Sequence, residues 1–163
     1  MGTWWRGILV ALVIAFGTAS AQSYAAVSVG LPVVLVSGHV GFEDLIAPAV
    51  DLRVNFGGGT LFGDGFGIFG LAVGADALWR FVAVDERTWT PYAGGGLGVL
   101  LVGAAGGGAV DAALVGTGAV VAGIDYDLGD LSVFAEVRGE LLWNPSAGFL
   151  GLPGVRLGVT FPL

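Results

Sequence analysis

The chain has 163 residues, 31 of them Gly, with 13 Asp and Glu against 6 Arg, no Lys, no Cys and a net charge of −7. Its mean hydropathy of +0.87 is too high for a disordered chain, and its charge is too sparse to coat an ordinary soluble domain. The acidic balance argues against a nucleic-acid partner, and the lack of Cys removes disulfides and thiolate metal sites.

The first 21 residues have the form of a secretory leader. Arg6 supplies a positive start, Gly7 to Phe16 is an apolar run, and Thr18-Ala-Ser-Ala21 ends in a small-residue site, so cleavage is expected before Gln22. The apolar run is short for a spanning helix, which needs roughly 20 residues. Residues 22–163 are left as one domain.

From Ser23 onward the chain alternates with the period of two that marks strands. Ser23 to Leu31 and Val33 to Val40 flank Pro32 and read as two short strands or one long bent one. Gly41-Phe-Glu-Asp44 reads as a turn, and Ala47 to Phe56 as the next strand. Gly57 to Gly65 reads as a glycine-rich loop, Phe66 to Val82 as a strand, and Asp85-Glu-Arg87 as a polar turn. Thr88 to Gly103 is a further strand, and Ala104 to Asp111 a loop of small residues. Gly118 to Leu141 is a hairpin turning at Asp127-Leu-Gly-Asp130, and Asn144 to Gly148 is a loop. Pro153 to Leu163 closes the chain. With Pro32 taken as a break, the count is eight strands.

Each strand has one bulky apolar face and one face of small residues with scattered charge. The bulky face carries Phe56, Phe69, Leu71, Trp79, Phe81, Trp89, Leu97, Tyr126 and many Val. An eight-stranded barrel is only just wide enough inside for side chains to fill it. That set is too large for the lumen, so it is expected to face lipid, as in a membrane barrel and unlike a lipocalin-type one. The small-residue face then lines the lumen. It brings in Asp51, Asp76, Asp125, Glu136 and Glu140 against Arg53, Arg80, Arg138 and Arg156. The near balance predicts a paired network, since buried charges need partners and Arg suits bidentate pairing. Aromatics are expected to form two interfacial girdles. Phe42, Trp79, Phe81, Trp89, Tyr126 and Phe161 fall at the periplasmic end, and Phe56, Phe66 and Trp143 at the other. Tyr92 has lumen parity, so it points inward unless a bulge shifts it. The fold class read from these patterns is all-β, an eight-stranded antiparallel up-and-down transmembrane β-barrel.

Thr90-Pro-Tyr-Ala-Gly-Gly-Gly-Leu-Gly98 resembles the "PYxGxGxG" strand of the small outer-membrane β-barrel family, which includes OmpA-like, OmpX-like, OmpW-like and opacity proteins. Gly123-Ile-Asp-Tyr126 with Leu131 to Arg138 resembles its "GxEY…lsxxaeyR" hairpin, and Gly154 to Phe161 its closing strand. The chain departs from the family in ending Phe161-Pro-Leu163, where members often end in an aromatic residue. The resemblance implies an eight-stranded barrel in the outer membrane of a double-membrane bacterium. Its partners would be outer-membrane lipid and, during biogenesis, the barrel-assembly machinery. The family contains structural proteins, adhesins, narrow channels and a few enzymes, so the resemblance fixes no activity.

Catalytic patterns are thin. His39 is the one His, and Ser37 lies two residues away on the same strand face. No orienting acid follows from spacing, so a lumen His in a hydrogen bond is the expectation, with no catalytic or metal residue and no cofactor. The G-x-x-x-G spacings within Thr88 to Val110 would suit a helix pair in a membrane, but Gly is a poor helix former and the flanks alternate as strands. The lumen carboxylates are expected to pair with Arg rather than act as acids, bases or cation ligands. The expected function is a structural or anchoring barrel with a charge-filled lumen. A narrow channel or carrier for small or apolar solutes is the alternative, and a lipid-modifying barrel enzyme comes third. The outer loops expected at residues 57–65, 104–112 and 143–151 are short and made mostly of small residues.

Overall fold

The computed structural model describes residues 22–31, 35–63, 66–81, 89–106, 109–146 and 148–163. The expected leader, the polar turn at Asp85-Glu-Arg87 and the segment around Pro32 lie outside these. Eight antiparallel strands form one closed ring: β1 (Ser23–Leu31), β2 (Leu35–Ala47), β3 (Val50–Gly63), β4 (Phe66–Arg80), β5 (Trp89–Gly106), β6 (Ala109–Asp127), β7 (Ser132–Asn144) and β8 (Gly148–Pro162). Every strand pairs with its sequence neighbours, and β1 pairs with β8 from Tyr24–Pro162 to Leu31–Val155. Closure leaves no unpaired edge, which a sheet in lipid requires. The described residues on either side of the segment around Pro32 form two strands, β1 and β2.

Several expected turns and loops belong to strands instead. Gly41 to Asp44 lies inside β2, with Gly41 opposite Arg53 and Phe42 opposite Leu52. The pairing then shifts between Phe42 and Ala47, a bulge in which Asp44 takes φ 55°. The chain reverses after it at Pro48–Ala49, where Asp44 Oδ1 accepts the Ala49 N–H at 2.7 Å. The glycine-rich segment 57–65 is strand as far as Gly63, and most of 104–112 and 143–151 is strand as well. Gly is tolerated there because cross-strand partners supply the order its backbone lacks. As a result β5 and β6 run 18 and 19 residues. A tilted crossing strand needs about 9–11 residues, so this hairpin continues well past a membrane span at the end of the barrel away from the termini, here called the distal end.

The two faces separate as alternation requires. Val27, Val29, Val36, Leu71, Val73, Leu97, Val120, Val137 and Leu157 are exposed on the outside. The residues buried inside are small or polar: Ala26, Ser28, Ser37, His39, Asp51, Arg53, Asp76 and Glu136, with Leu78, Tyr92, Val121 and Phe134. Near the termini Trp79, Phe81, Trp89 and Phe161 face outward, and the Trp89 and Tyr126 rings meet across the β5–β6 pair at 4.4 Å. Toward the distal end, Phe56 and Trp143 are exposed, and Trp143 stacks on Phe149, an aromatic outside the expected girdle. Phe42 is half-buried, and the Phe66 side chain lies outside the described atoms.

Candidate functional site

The interior is built by cross-strand neighbours that register places side by side. Arg53 is opposite Asp76 in the β3–β4 pair, and Glu136 is opposite Arg156 in the β7–β8 pair. In a ring of eight, β3 and β7 lie across the lumen from each other. Arg53 Nη2 donates to Asp76 Oδ2 on the neighbouring strand and to Glu136 Oε2 on the far wall, each at 2.9 Å. Arg138 on β7 reaches back to Asp76, with Nη1 donating to Oδ2 at 3.1 Å, and also to Glu136 Oε1 at 3.1 Å. Its Nε donates to Glu140 at 3.1 Å. Tyr92 on β5 donates its hydroxyl to Glu136 Oε2 at 3.0 Å, so it points inward. Glu136 thus accepts from β3, β5 and β7, and its side chain is fully buried. Buried carboxylates survive in a low-dielectric lumen only with this degree of pairing.

Small residues make the crossing possible. A Cβ at Gly123 would collide with the Tyr92 ring, and one at Gly96 would collide with the Asp76 carboxylate. The Tyr92 ring covers Gly123 across the β5–β6 pair, which supports the glycine backbone and fixes the ring.

The nine charged residues expected in one lumen network divide into two clusters and an outlier. Asp76, Arg53, Glu136, Arg138, Glu140 and Arg156 form the central layer. Arg80 and Asp51 form a second cluster at the terminal end, where Arg80 also holds Glu43 at 3.0 Å and Asp44 at 3.5 Å. Asp125 makes no ion pair among the described residues and lines the cavity on that side. The bulge hides Glu43 and Asp44 from the sequence pattern, which reads as a turn at those positions.

Sequence reasoning also misses a third group. His39 bonds across strands to Ser28 on β1 and Asn55 on β3, while Ser37 is not its partner. The tautomer that satisfies both has Ser28 Oγ–H donating to Nε2 at 2.6 Å and Nδ1–H donating to Asn55 Oδ1 at 2.5 Å. The order Ser–His–Asn is that of a nucleophile, base and orienting group. Yet Ser28 and His39 are 4% and 1% exposed, and neither lines either of the two cavities that flank the central layer. With the Ser28 hydroxyl buried against His39, the chain of hydrogen bonds braces three strands. A His on lumen parity flanked by Ser and Asn at register positions is the only available signal, and it needs the register to be read.

Two cavities flank the central layer. The distal one has a volume of about 330 Å³ and is lined by Asp76, Arg138, Glu140 and Arg156 at its floor. The other, about 210 Å³, opens toward the termini between Arg53, Tyr92, Phe134 and the acidic group Glu43, Asp51, Asp125 and Asp127. Among the described residues no group of His, Cys, Asp or Glu is arranged to hold a metal ion.

A closed antiparallel ring with apolar side chains outside and ion pairs inside is a transmembrane β-barrel. Its fold is that of the small eight-stranded outer-membrane barrels. No protein-family model matches the sequence, and comparison with curated proteins gives no match. Solved structures do match. Neisserial surface protein A is 15% identical with a TM-score of 0.65, over 88% of this chain and 96% of that one. The N-terminal β-barrel domain of Pseudomonas aeruginosa OprF is 17% identical with a TM-score of 0.65, over 87% and 97%. A major outer membrane protein from Thermus thermophilus is 14% identical with a TM-score of 0.61, over 89% and 100%. At these identities the likeness is one of fold.

Proposed function

We propose that the protein is a small integral outer-membrane barrel with a structural or anchoring role, closed to solute flow by its own side chains. A leader at residues 1–21 would be removed on export, the barrel-assembly machinery would insert residues 22–163, and outer-membrane lipid would cover the exterior. The reading includes no enzymatic activity, cofactor or nucleic acid. The observation that carries it is the contact from Arg53 to Glu136 across the lumen, joined by Arg138 to Asp76, with these four side chains at most 8% exposed. The apolar exterior and the aromatics near both ends support the membrane location.

One observation favours a second reading, a narrow channel with the same layer as its gate. Arg53 and Tyr92 line the cavity on one side, and Asp76, Arg138 and Arg156 line the cavity on the other, so the barrier is a single layer of side chains. Membrane fractionation together with heat-modifiable gel mobility tests the location, and conductance in planar bilayers separates plug from channel.

A further inference from the structure

The distal cavity has chemistry that closing the lumen does not require. Above the ion-pair layer its wall carries Leu35, Ile68, Leu100, Val102, Leu142 and Leu152, all on lumen parity and contributed by five strands. These side chains point into an open cup rather than into a packed core, and Ile68 is 38% exposed. Polar side chains would solvate a merely wet vestibule better than this collar does.

The floor supplies the second half. Arg156 lies 3.3 Å from Glu136, but that carboxylate already serves Arg53 and Arg138. The Arg156 side chain donates no hydrogen bond to any described residue: its Nη1, buried against Glu136, keeps only that ion pair at 3.3 Å. Its side chain is only 11% exposed and it lines the cavity floor. A guanidinium offers a fork of N–H donors matched to a carboxylate or phosphate, and here Nε and Nη2 have no hydrogen bond or ion pair among the described residues.

We infer that the distal cup binds a single-chain amphiphile with an anionic head, of the fatty-acid class, its head on Arg156 and its chain within the Leu35–Ile68–Leu100–Val102–Leu142–Leu152 collar. The cavity volume of about 330 Å³ is at the lower end of the roughly 300–1,000 Å³ typical of small-molecule sites, which favours one short chain over a multi-chain lipid. The inference rests on a sealed floor, which conductance tests independently of binding.

The experiment uses the full barrel in nanodiscs of zwitterionic lipid, with radiolabelled dodecanoate as the probe and empty nanodiscs as the blank. Saturable binding above the blank is expected. Dodecyltrimethylammonium, with the same chain and a cationic head, should not compete, and inorganic phosphate should compete only weakly. Arg156→Gln should weaken dodecanoate binding roughly tenfold or more, as loss of a hydrogen bond to a charged group does. Leu142→Gln with Leu152→Gln should weaken it at the collar while leaving Arg156 in place. Each variant is checked for folding by heat-modifiable mobility. Binding no greater than in empty nanodiscs, equal competition by the cationic amphiphile, or unchanged affinity in folded Arg156→Gln would each overturn the inference.

Discussion

Arg53 on β3 meets Glu136 on β7, the opposite wall of the barrel, at 2.9 Å with both side chains almost wholly shielded from solvent. A ring of eight strands brings its far walls close enough for one arginine to span them. The contact joins opposite walls of the barrel, and under the proposed function it fills the section that solutes would have to cross.

Glu136 is the hub of that layer, so its loss is the most costly. Glu136→Gln leaves Arg53, Arg138 and Arg156 competing for Asp76 and Glu140, an excess of buried positive charge. Breaking a buried pair from one side costs about 3–5 kcal/mol. Urea unfolding in lipid vesicles, followed by loss of the heat-modifiable form, should give a clearly lower midpoint. A midpoint equal to wild type would mean that the layer contributes nothing to stability.

Tyr92 depends on the space above Gly123. Gly123→Val would push the ring off the β6 backbone and separate its hydroxyl from Glu136. Overpacking of this kind costs about 1–3 kcal/mol. Tyr92→Phe, which removes only the hydroxyl, should cost less, and the order of the two unfolding midpoints checks this.

Ser28, His39 and Asn55 brace β1 to β3. Asn55→Leu leaves a buried imidazole N–H without an acceptor, a loss of about 1–3 kcal/mol. The wild-type barrel should neither hydrolyse p-nitrophenyl esters nor react with a fluorophosphonate. Labelling of Ser28 by that reagent would instead reveal an accessible nucleophile.

The outward indoles report the membrane boundary. Trp79, Trp89 and Trp143 are 61%, 44% and 47% exposed on the barrel exterior. In vesicles their fluorescence should be quenched more by lipids brominated near the headgroup than by lipids brominated at the chain end, and little by aqueous iodide. Strong iodide quenching with no effect of bromolipid would place them in water.

The fold is legible in the sequence because two signals agree. Alternation defines the strand faces, and the bulk of Phe56, Trp79, Trp89 and Leu97 decides which face could not fit inside. Strand ends are less legible. Gly57 to Gly63 has Thr60 as its one β-branched residue and Ala104 to Gly106 has none, so the signal that announces a strand is weak there, and both segments pair along a neighbour's backbone. The bulge between Phe42 and Ala47 hides Glu43 and Asp44 from the charge count, because a shifted register breaks the alternation that parity relies on. Parity brings the charged residues to the lumen but gives no register. The split into a central layer and an Arg80 cluster, and the Ser28–His39–Asn55 chain, depend on which residues stand opposite one another, and a single strand's pattern does not contain that information.

The central claim is that the Arg53–Glu136 layer closes the lumen, and conductance in planar bilayers tests it most directly. The wild-type barrel should insert without ion current above background. Replacing the layer by Arg53→Ala with Glu136→Ala, in protein that still shows heat-modifiable mobility, should open a small steady conductance. Stable channels from the wild-type protein would contradict the claim.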